Sequence, residues 1–255
     1  MKYQLISLIL LLSFSCENEN VASIDSVKTD YFDQIPYLMH KKSIDSVAEI
    51  IIYGQLGTAK INDTLNYFRA HDNKTISKDF KSFMCCYDTF QFDSDGIVTK
   101  RTRLNCYTTV FDMSYNRKGD TIYVNETSNY NDSKIHKYVV KKDRVVSKSS
   151  RYNLFDDYSK EVRYFYNRSG QLIKKHSEAK NDPNGEFKYQ VMLTSYHWNG
   201  KDLLETRLKQ FKNDGKEYYE TVTSYNSEGF PKATVVMENK DTICKTSIIK
   251  FPLKE

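Results

Sequence analysis

From Ser43 onward the chain consists of short segments rich in β-branched and aromatic residues, separated by clusters of Asn, Asp and Gly. The former types favour extended strands, and the latter favour the turns between them. The sequence has 20 Tyr and 14 Phe against 9 Gly and 4 Pro, which is typical of many strands joined by economical turns. The most helix-like stretch is 30–42, and Pro36 interrupts it. The pattern predicts an all-β domain over 43–255, behind a short irregular or helical lead-in over 16–42.

The turn clusters recur at intervals of about 22 to 30 residues, which indicates an internal repeat. Each interval has room for two strands of about eight to ten residues and for two turns. The residues at the position equivalent to glycine are, in chain order, Lys74, Gly96, Gly119, Asp143, Gly170, Gly200 and Gly229.

Most of these turns share one layout, in which Asn or Asp precedes Gly by three residues. An Asn or Asp side chain can bond its own backbone two residues on, and the Gly supplies the positive φ of a type I turn followed by a bulge. Lys74 and Asp143 lack the Gly, so those two turns should use Asn73 or Asp143 at positive φ. The layout occurs at Asp93 with Gly96, Asn116 with Gly119, Asn167 with Gly170, and Asn226 with Gly229.

A second, more variable series of Asn/Asp-rich turns alternates with the first, for example at 129–132 and 213–215. Two alternating series predict a long antiparallel meander of hairpins with one series at each edge of the sheet. About thirteen strands follow Lys74, and at ~4.8 Å per strand an open sheet would be roughly 60 Å wide. We therefore expect a single-layer sheet that curls, coils or splits.

The Tyr-Asn-x-x-Gly turn, with an aliphatic residue one or two positions after Gly, resembles the YD-repeat (RHS-like) hairpin families of bacterial envelope proteins. The resemblance covers about 64–250 and is visible in "FYNRSGQLI" at 165–173 and "SYNSEGFPK" at 224–232. The resemblance implies an architecture of repeated hairpins, and it gives no information about a substrate or a partner.

The first sixteen residues have the features of an export signal. Lys2 is followed by an apolar run over 5–12, then by small Ser13 and Ser15. A run this short is a secretory signal over 1–15 rather than a membrane span. Cys16 directly after it resembles the lipobox of bacterial lipoproteins, in which the cysteine is lipidated. The alternative is ordinary signal-peptidase cleavage, which would leave Cys16 as the first residue of a soluble protein.

The residues after Cys16, Glu-Asn-Glu-Asn, resemble surface-export signals of Bacteroidota lipoproteins, and they also suit a polar tether. The sequence thus predicts a lipid-anchored outer-membrane protein, and it leaves periplasmic and surface display open. Attachment is expected through the N-terminal lipid.

Four further cysteines, an even number, suit disulfides in an exported protein. If 93–96 closes a hairpin, Cys85 and Cys106 are diagonal neighbours within reach of a disulfide after a small shift in register. Cys86 then lies on the other face, and a Cys86–Cys244 bond would need the C-terminal strand to return to the early sheet.

Candidate chemistry is sparse. The five histidines are scattered and are expected in turns or on solvated faces, and the cysteine spacings match no zinc site. No nucleophile motif or phosphate-binding glycine loop is present, so neither a catalytic residue, a metal nor a cofactor is predicted. The net charge of +5 is interspersed, which argues against nucleic-acid binding.

Aromatic residues are the one abundant class of side chain that could contact a ligand. Most are expected to pair across strands. Trp198, the only Trp, is predicted to lie in a turn, and with Tyr196 it is the best candidate for an exposed ligand contact.

The sequence therefore predicts a non-catalytic envelope protein that acts as a binding, scaffolding or surface-display module, with an envelope protein or a polysaccharide as partner. The alternative is a glycan-binding accessory lipoprotein that uses exposed Tyr and Trp on one sheet face. The third hypothesis is an enzyme with an unrecognised site.

Overall fold

The computed structural model describes residues 22–56, 58–72, 74–80, 87–104, 108–130, 132–153, 155–181, 189–211 and 217–251. The lead-in forms a 3₁₀ helix over Ile24–Asp30 and an α-helix, α1, over Ile35–Lys42. Pro36 occupies the first turn of α1, where its missing N–H has no cost. Within the described residues, no helix has the length and apolar character needed to cross a membrane.

Sixteen strands follow in the described part of the chain. They are β1 (Ser46–Gly54), β2 (Thr64–Ala70), β3 (Thr75–Phe80), β4 (Tyr87–Phe92), β5 (Val98–Leu104), β6 (Thr108–Lys118), β7 (Thr121–Ser128), β8 (Ser133–Lys141), β9 (Arg144–Tyr152), β10 (Phe155–Tyr166), β11 (Leu172–Lys180), β12 (Tyr189–Asn199), β13 (Asp202–Phe211), β14 (Glu217–Tyr225), β15 (Pro231–Glu238) and β16 (Asp241–Phe251).

Each strand pairs antiparallel with its neighbours in the chain, and β16 pairs back with β1, so the sheet is a closed barrel. In the closing pair, Val47 lies opposite Lys250 and Ile51 lies opposite Thr246. The predicted antiparallel meander with a short helical lead-in is confirmed. The predicted single-layer or merely curled sheet is corrected to a barrel, since strand twist curls a sheet of this size and closure pairs its two edges.

The two series of turns lie at opposite ends of the barrel. We call the end that carries the turns after β2, β4, β6, β8, β10, β12 and β14 the glycine rim, and the other end the far rim. In the turns that begin at Asp93, Asn167 and Asn226, the N–H of the Gly three residues later donates to the carbonyl oxygen of the first residue, at 2.9–3.1 Å. The side-chain Oδ1 of the same residue accepts from the N–H four residues on.

The predicted turn at Asn116 is different. Asn116 lies within β6, opposite Tyr123, and the tight turn consists of Gly119 and Asp120 alone. Gly200 likewise belongs to a two-residue turn, between Asn199 and Asp202. Asp143 has a φ of 57°, the positive value expected of a turn without glycine.

Alternation along the strands separates an inner face from an outer face. Val47, Ile122 and Thr246 are at most 1% exposed and mark the inner face.

The lead-in lies inside the barrel at the glycine rim, where Ala22 donates its N–H to the carbonyl of Gly119 at 2.9 Å. Val27 belongs to one core cluster with wall residues of β7 to β14. Leu38 and Met39 of α1 pack in another cluster with Phe68 and Phe230, so the sixteen-stranded wall is filled at one end.

Substitution of Gly54 tests the closure of the barrel, because Gly54 of β1 lies opposite Cys244 of β16 in the strand pair that closes it. Its φ is +72°, and a Cβ there would lie 1.9 Å from the carbonyl oxygen of Ile243. Gly229 has the same φ, and a Cβ there would meet nothing within 4 Å. Gly229→Ala should therefore cost about 1 kcal/mol of unfolding free energy from backbone strain alone. Gly54→Ala should cost at least about 2 kcal/mol more, because β1 and β16 must separate locally.

Urea unfolding of the two variants and the wild type measures this difference. Equal losses for Gly54→Ala and Gly229→Ala would contradict the close approach of β1 and β16 at this end of the barrel.

Candidate functional site

Asp30, the last residue of the 3₁₀ helix, places a carboxylate against the inner wall. It accepts hydrogen bonds from the Tyr138 hydroxyl at 2.8 Å, from Lys148 Nζ at 2.5 Å, and from the Tyr164 hydroxyl. Tyr138 lies directly opposite Lys148, which in turn lies opposite Val162, two residues before Tyr164. The strand register therefore brings three donors from β8, β9 and β10 to one point on the inner face.

The charges around Asp30 keep it ionised. Burial alone would raise its pKa, but Lys148 and Lys175, together with the hydrogen bonds from Lys148 and Tyr164, hold the pKa of Asp30 below its ordinary value of 3.8. Burial first, and then the nearby Asp30 carboxylate, raise the pKa values of Tyr138 and Tyr164, so both phenols stay protonated donors. Asp30 is thus the electrostatic attachment of the lead-in to the barrel.

Trp198 and Tyr196 belong to the same attachment. Trp198 lies in β12 rather than in the predicted turn, and its Nε1–H donates to the carbonyl of Leu172 at 2.8 Å. Phe32 of the lead-in packs on both rings, with centroids 5.7 Å from Tyr196 and 6.4 Å from Trp198. Tyr196 is 4% exposed, so it offers no exposed ring to a polysaccharide. These aromatic residues hold the lead-in, and the exposed platform expected from the sequence is not formed by them.

A cavity of about 250 Å³ lies between the lead-in and the wall formed by β4 to β9. Its apolar surface comes from Phe90, Phe92, Met113 and Val124 of the wall, among others. Its ionisable side chains, apart from tyrosines, are Asp30 of the lead-in and Arg101, Glu126, His136 and Lys148 of the wall. The cavity is half open and combines apolar surface with several convergent polar groups, a combination common in small-molecule sites.

The wall charges are paired with one another. Arg101 donates from Nη2 to Asp88 at 2.9 Å, and Arg103 donates to the same carboxylate. Glu126 lies 3.4 Å from His136 Nε2, and the other ring nitrogen of His136 lies 2.8 Å from Ser150 Oγ. Burial lowers the pKa of His136 despite the Glu126 carboxylate, so the imidazole is neutral at pH 7. Burial opposes ionisation of Glu126, but the His136 hydrogen bond and the nearby cations hold its pKa below the ordinary value.

Two donors in the cavity wall lack acceptors. Within the described part of the chain, the buried Tyr31 hydroxyl and the buried Nε of Arg101 have no hydrogen-bond partner. Burial and neighbouring tyrosines raise the pKa of Tyr31, so its hydroxyl is protonated and can donate. A buried donor without a partner loses free energy, and a bound water or ligand oxygen restores it.

The outer face of the barrel carries paired charges. Arg207 lies between Glu205 and Glu220 at 3.2 Å from each, and Lys100 lies 3.7 Å from Asp112. Alternation places these residues outward, since Thr206, the neighbour of Arg207, points inward and is 8% exposed. Outward apolar side chains are spread among these charges on several strands, for example Ile135 of β8, Phe165 of β10, Leu204 of β13 and Ile249 of β16, which are 42–48% exposed.

The predicted lipidation and disulfide positions fall mainly outside the described residues. Cys16, Cys85, Cys86 and Cys106 all lie there, so the lipid anchor and the Cys85–Cys106 bond stay predictions. Cys244 is a free, buried thiol rather than half of a disulfide, and it packs with Ile51, Ala59 and Val236. Among the described residues, no three His, Cys, Asp or Glu side chains are close enough together to hold a metal ion.

The sequence did not identify the inner charges. His136 was expected in a turn or on a solvated face, and it lies on the inner wall. Lys175 of β11 also lies on this face, with its ammonium near Asp30 and 5.7 Å from the centroid of the Tyr164 ring. The available signal was alternation: His136, Tyr138 and Val140 share one face, as do Lys148 and Ser150.

Asp30→Asn tests the attachment of the lead-in. The amide keeps the shape but leaves Lys148 without its carboxylate, so the free energy of unfolding at pH 7 should fall by about 3 kcal/mol. Asp25→Asn is the matched control: Asp25 pairs with Lys28 at 2.8 Å but is 63% exposed, and its loss should cost less than about 1 kcal/mol. Urea unfolding of both variants gives the comparison.

The difference between wild type and Asp30→Asn also has a defined pH dependence. Because the folded-state pKa is depressed below 3.8, the stabilisation is complete above that pH and is lost as the pH falls through the folded-state value. A difference that instead grew below pH 4 would contradict the ion pair.

Comparisons with known proteins add a likeness of fold. No family model matches the chain, and no curated protein matches it. Among solved structures, a porin-like protein from Bacteroides uniformis ATCC 8492 is 8% identical, with a TM-score of 0.37 over 82% of this chain and 96% of that one. A porin-like protein from Bacteroides vulgatus ATCC 8482 is 14% identical, with a TM-score of 0.34 over 82% and 99%. At these TM-scores the likeness carries no argument about function, and the YD-repeat resemblance stays one of turn layout.

Proposed function

We propose that this chain is an exported, non-catalytic, lipid-anchored protein of the outer membrane, whose barrel lies in water beside the bilayer and binds a ligand in its interior. The observation that carries the proposal is the charged outer face of the barrel.

A barrel that crosses a bilayer presents an outward apolar band about 25 Å tall, with aromatic residues at both interfaces. This barrel has outward charges near the middle of several strands: Lys137 on β8, Glu161 and Arg163 on β10, His176 on β11 and Arg207 on β13. A single Arg or Lys at the bilayer midplane costs about 2–4 kcal/mol. Together these residues would cost roughly 10 kcal/mol, which favours a wall in contact with water.

Membrane attachment then depends on Cys16, which follows the apolar run of the export signal. A lipidated cysteine holds a protein at the membrane without any spanning segment. Five residues separate Cys16 from Ala22. Ala22 is bonded to the glycine rim, so the anchor would bring that rim close to the lipid surface.

Cys16→Ala tests the anchor and the position of the barrel together. The variant should lose palmitate labelling and move from the membrane fraction to the soluble fraction, while circular dichroism still shows a folded β protein. Ser15→Ala, which retains Cys16, is the control and should stay labelled and membrane-bound. A Cys16→Ala protein that remained in the membranes after carbonate washing and required detergent would show that the barrel itself enters the bilayer, and the proposal would be wrong.

A glycan-binding function is the second candidate, and a groove on the outer face favours it. Tyr67, Asp79 and Tyr87 lie opposite one another on β2, β3 and β4. They line an outer groove of about 510 Å³ together with Arg69 and His71. The two rings are two strands apart, about 10 Å, which is close to the length of a disaccharide. Sugars stack on aromatic rings and donate hydroxyls to carboxylates, so this row has suitable chemistry for a polysaccharide chain.

Tyr87→Ala tests this candidate. If the groove binds glycan, the wild type is retarded in gels that contain the polysaccharide, and Tyr87→Ala loses most of the retardation. Tyr123→Ala, on the outer face of β7, should migrate like the wild type. Equal mobility of all three proteins in gels with and without a panel of envelope polysaccharides would exclude the groove as a glycan site.

A further inference from the structure

We infer that the cavity between the lead-in and the wall binds a small neutral molecule with one ring and an oxygen acceptor, such as an aromatic ketone or alcohol. The inference deepens the proposed function and rests on it, since it names the ligand of the barrel interior. It is carried by the size of the cavity, by its two donors without acceptors and by the balance of its charges.

The size limits the ligand. A volume of about 250 Å³ corresponds to roughly eight water molecules at ~30 Å³ each. Sites for drug-sized ligands start at about 300 Å³, so this one suits a single ring with a short substituent. Phe90, Phe92, Met113 and Val124 provide the apolar contact surface for such a ring.

The two donors determine the polar part of the ligand. The Tyr31 hydroxyl comes from the lead-in and the Arg101 Nε–H comes from β5, and both line the cavity without an acceptor among the described residues. Water or a ligand carbonyl or hydroxyl oxygen can accept from them. A purely apolar ligand would leave both donors unpaired in a drier site, which costs free energy for each.

The charges in the wall favour a neutral ligand. Asp30 and Glu126 contribute two carboxylates, and Arg101 and Lys148 contribute two cations. Each cation already has a carboxylate partner: Lys148 contacts Asp30, and Arg101 contacts Asp88. An anionic ligand would have to share a cation that already contacts Asp30 or Asp88, and it would lie beside the carboxylates of Asp30 and Glu126, so a neutral ligand is favoured.

The position of the cavity couples binding to the lead-in. Because Tyr31 belongs to the lead-in and Arg101 to the wall, a ligand that accepts from both connects the two. A ligand that binds only the folded barrel with its lead-in in place stabilises that state by a free energy that grows with the logarithm of ligand concentration over Kd. The melting temperature therefore rises as ligand is added.

Titration calorimetry and thermal unfolding with three probes of matched ring size test the inference. Acetophenone has a neutral acceptor, ethylbenzene has none, and benzoate is an anion. The protein used is the full mature chain with Cys16→Ala. We expect acetophenone to bind at least threefold more tightly than ethylbenzene and at least tenfold more tightly than benzoate, with a matching rise in melting temperature.

Tyr31→Phe removes one donor and keeps the ring, so it should weaken acetophenone binding three- to tenfold and leave ethylbenzene binding unchanged. Tyr123→Phe on the outer face is the matched control and should bind like the wild type. Met113→Trp, which fills the cavity, should abolish binding of both neutral probes. Since it can also prevent folding, the Tyr31→Phe comparison decides the matter by itself.

Three outcomes would overturn the inference: no binding of any probe, benzoate as the tightest ligand, or equal loss of acetophenone and ethylbenzene binding in Tyr31→Phe. None of these three outcomes bears on the proposed location of the barrel beside the bilayer. That location is tested separately, by the solubility and palmitate labelling of the Cys16 variants. Conversely, a barrel that needs detergent would refute the proposed location, and the probe titration would still report on the cavity.

Discussion

The backbone hydrogen bonds between β1 and β16 leave no described strand of the sheet with an unpaired edge. An open meander of this length would expose two edges that can pair with other chains. Closure has a geometric cost at the seam, where the register shifts between Ile51 and Tyr53 and the chain needs positive φ at Gly54. It also creates an interior, and the other features of the molecule follow from how that interior is filled.

A sixteen-stranded barrel is too wide for its own side chains to fill, because eight strands already enclose about as much space as side chains occupy. The lead-in supplies the missing volume at the glycine rim through Val27, Leu38 and Met39. It also brings one charge, Asp30, which would be unfavourable there without Lys148, Lys175 and two tyrosine hydroxyls. Apolar packing and a charge-assisted network therefore specify the same position for the lead-in, and the cavity is the volume that the lead-in leaves unfilled.

Local sequence patterns predicted the turns and the meander, but they did not predict the closure of the barrel or the charges inside it. The turns at Asp93, Asn167 and Asn226 depend on residues within five positions of one another, and alternating turns imply the meander. Closure depends on a pairing between Val47 and Lys250, which no local pattern encodes. The inner charges were missed for a related reason: both faces of these strands are polar, so alternation alone does not tell which face is inside. Trp198 was placed in a turn because Asn199 and Gly200 follow it, yet β12 continues through Asn199 before the two-residue turn.

The short connection between Cys16 and the barrel gives the proposed anchor a consequence for ligand access. Five intervening residues, even fully extended, allow no more than about 20 Å between Cys16 and Ala22. A lipidated Cys16 would therefore hold the glycine rim, with the lead-in inside it, next to the membrane, and the far rim would point away. The cavity is bounded by the lead-in, so it lies toward the membrane-proximal end. A small neutral, largely apolar molecule is the class of ligand that also partitions into lipid, and for such a ligand the membrane-facing end is the shorter route. The charge balance that favours a neutral ligand therefore agrees with the end of the barrel at which the cavity lies.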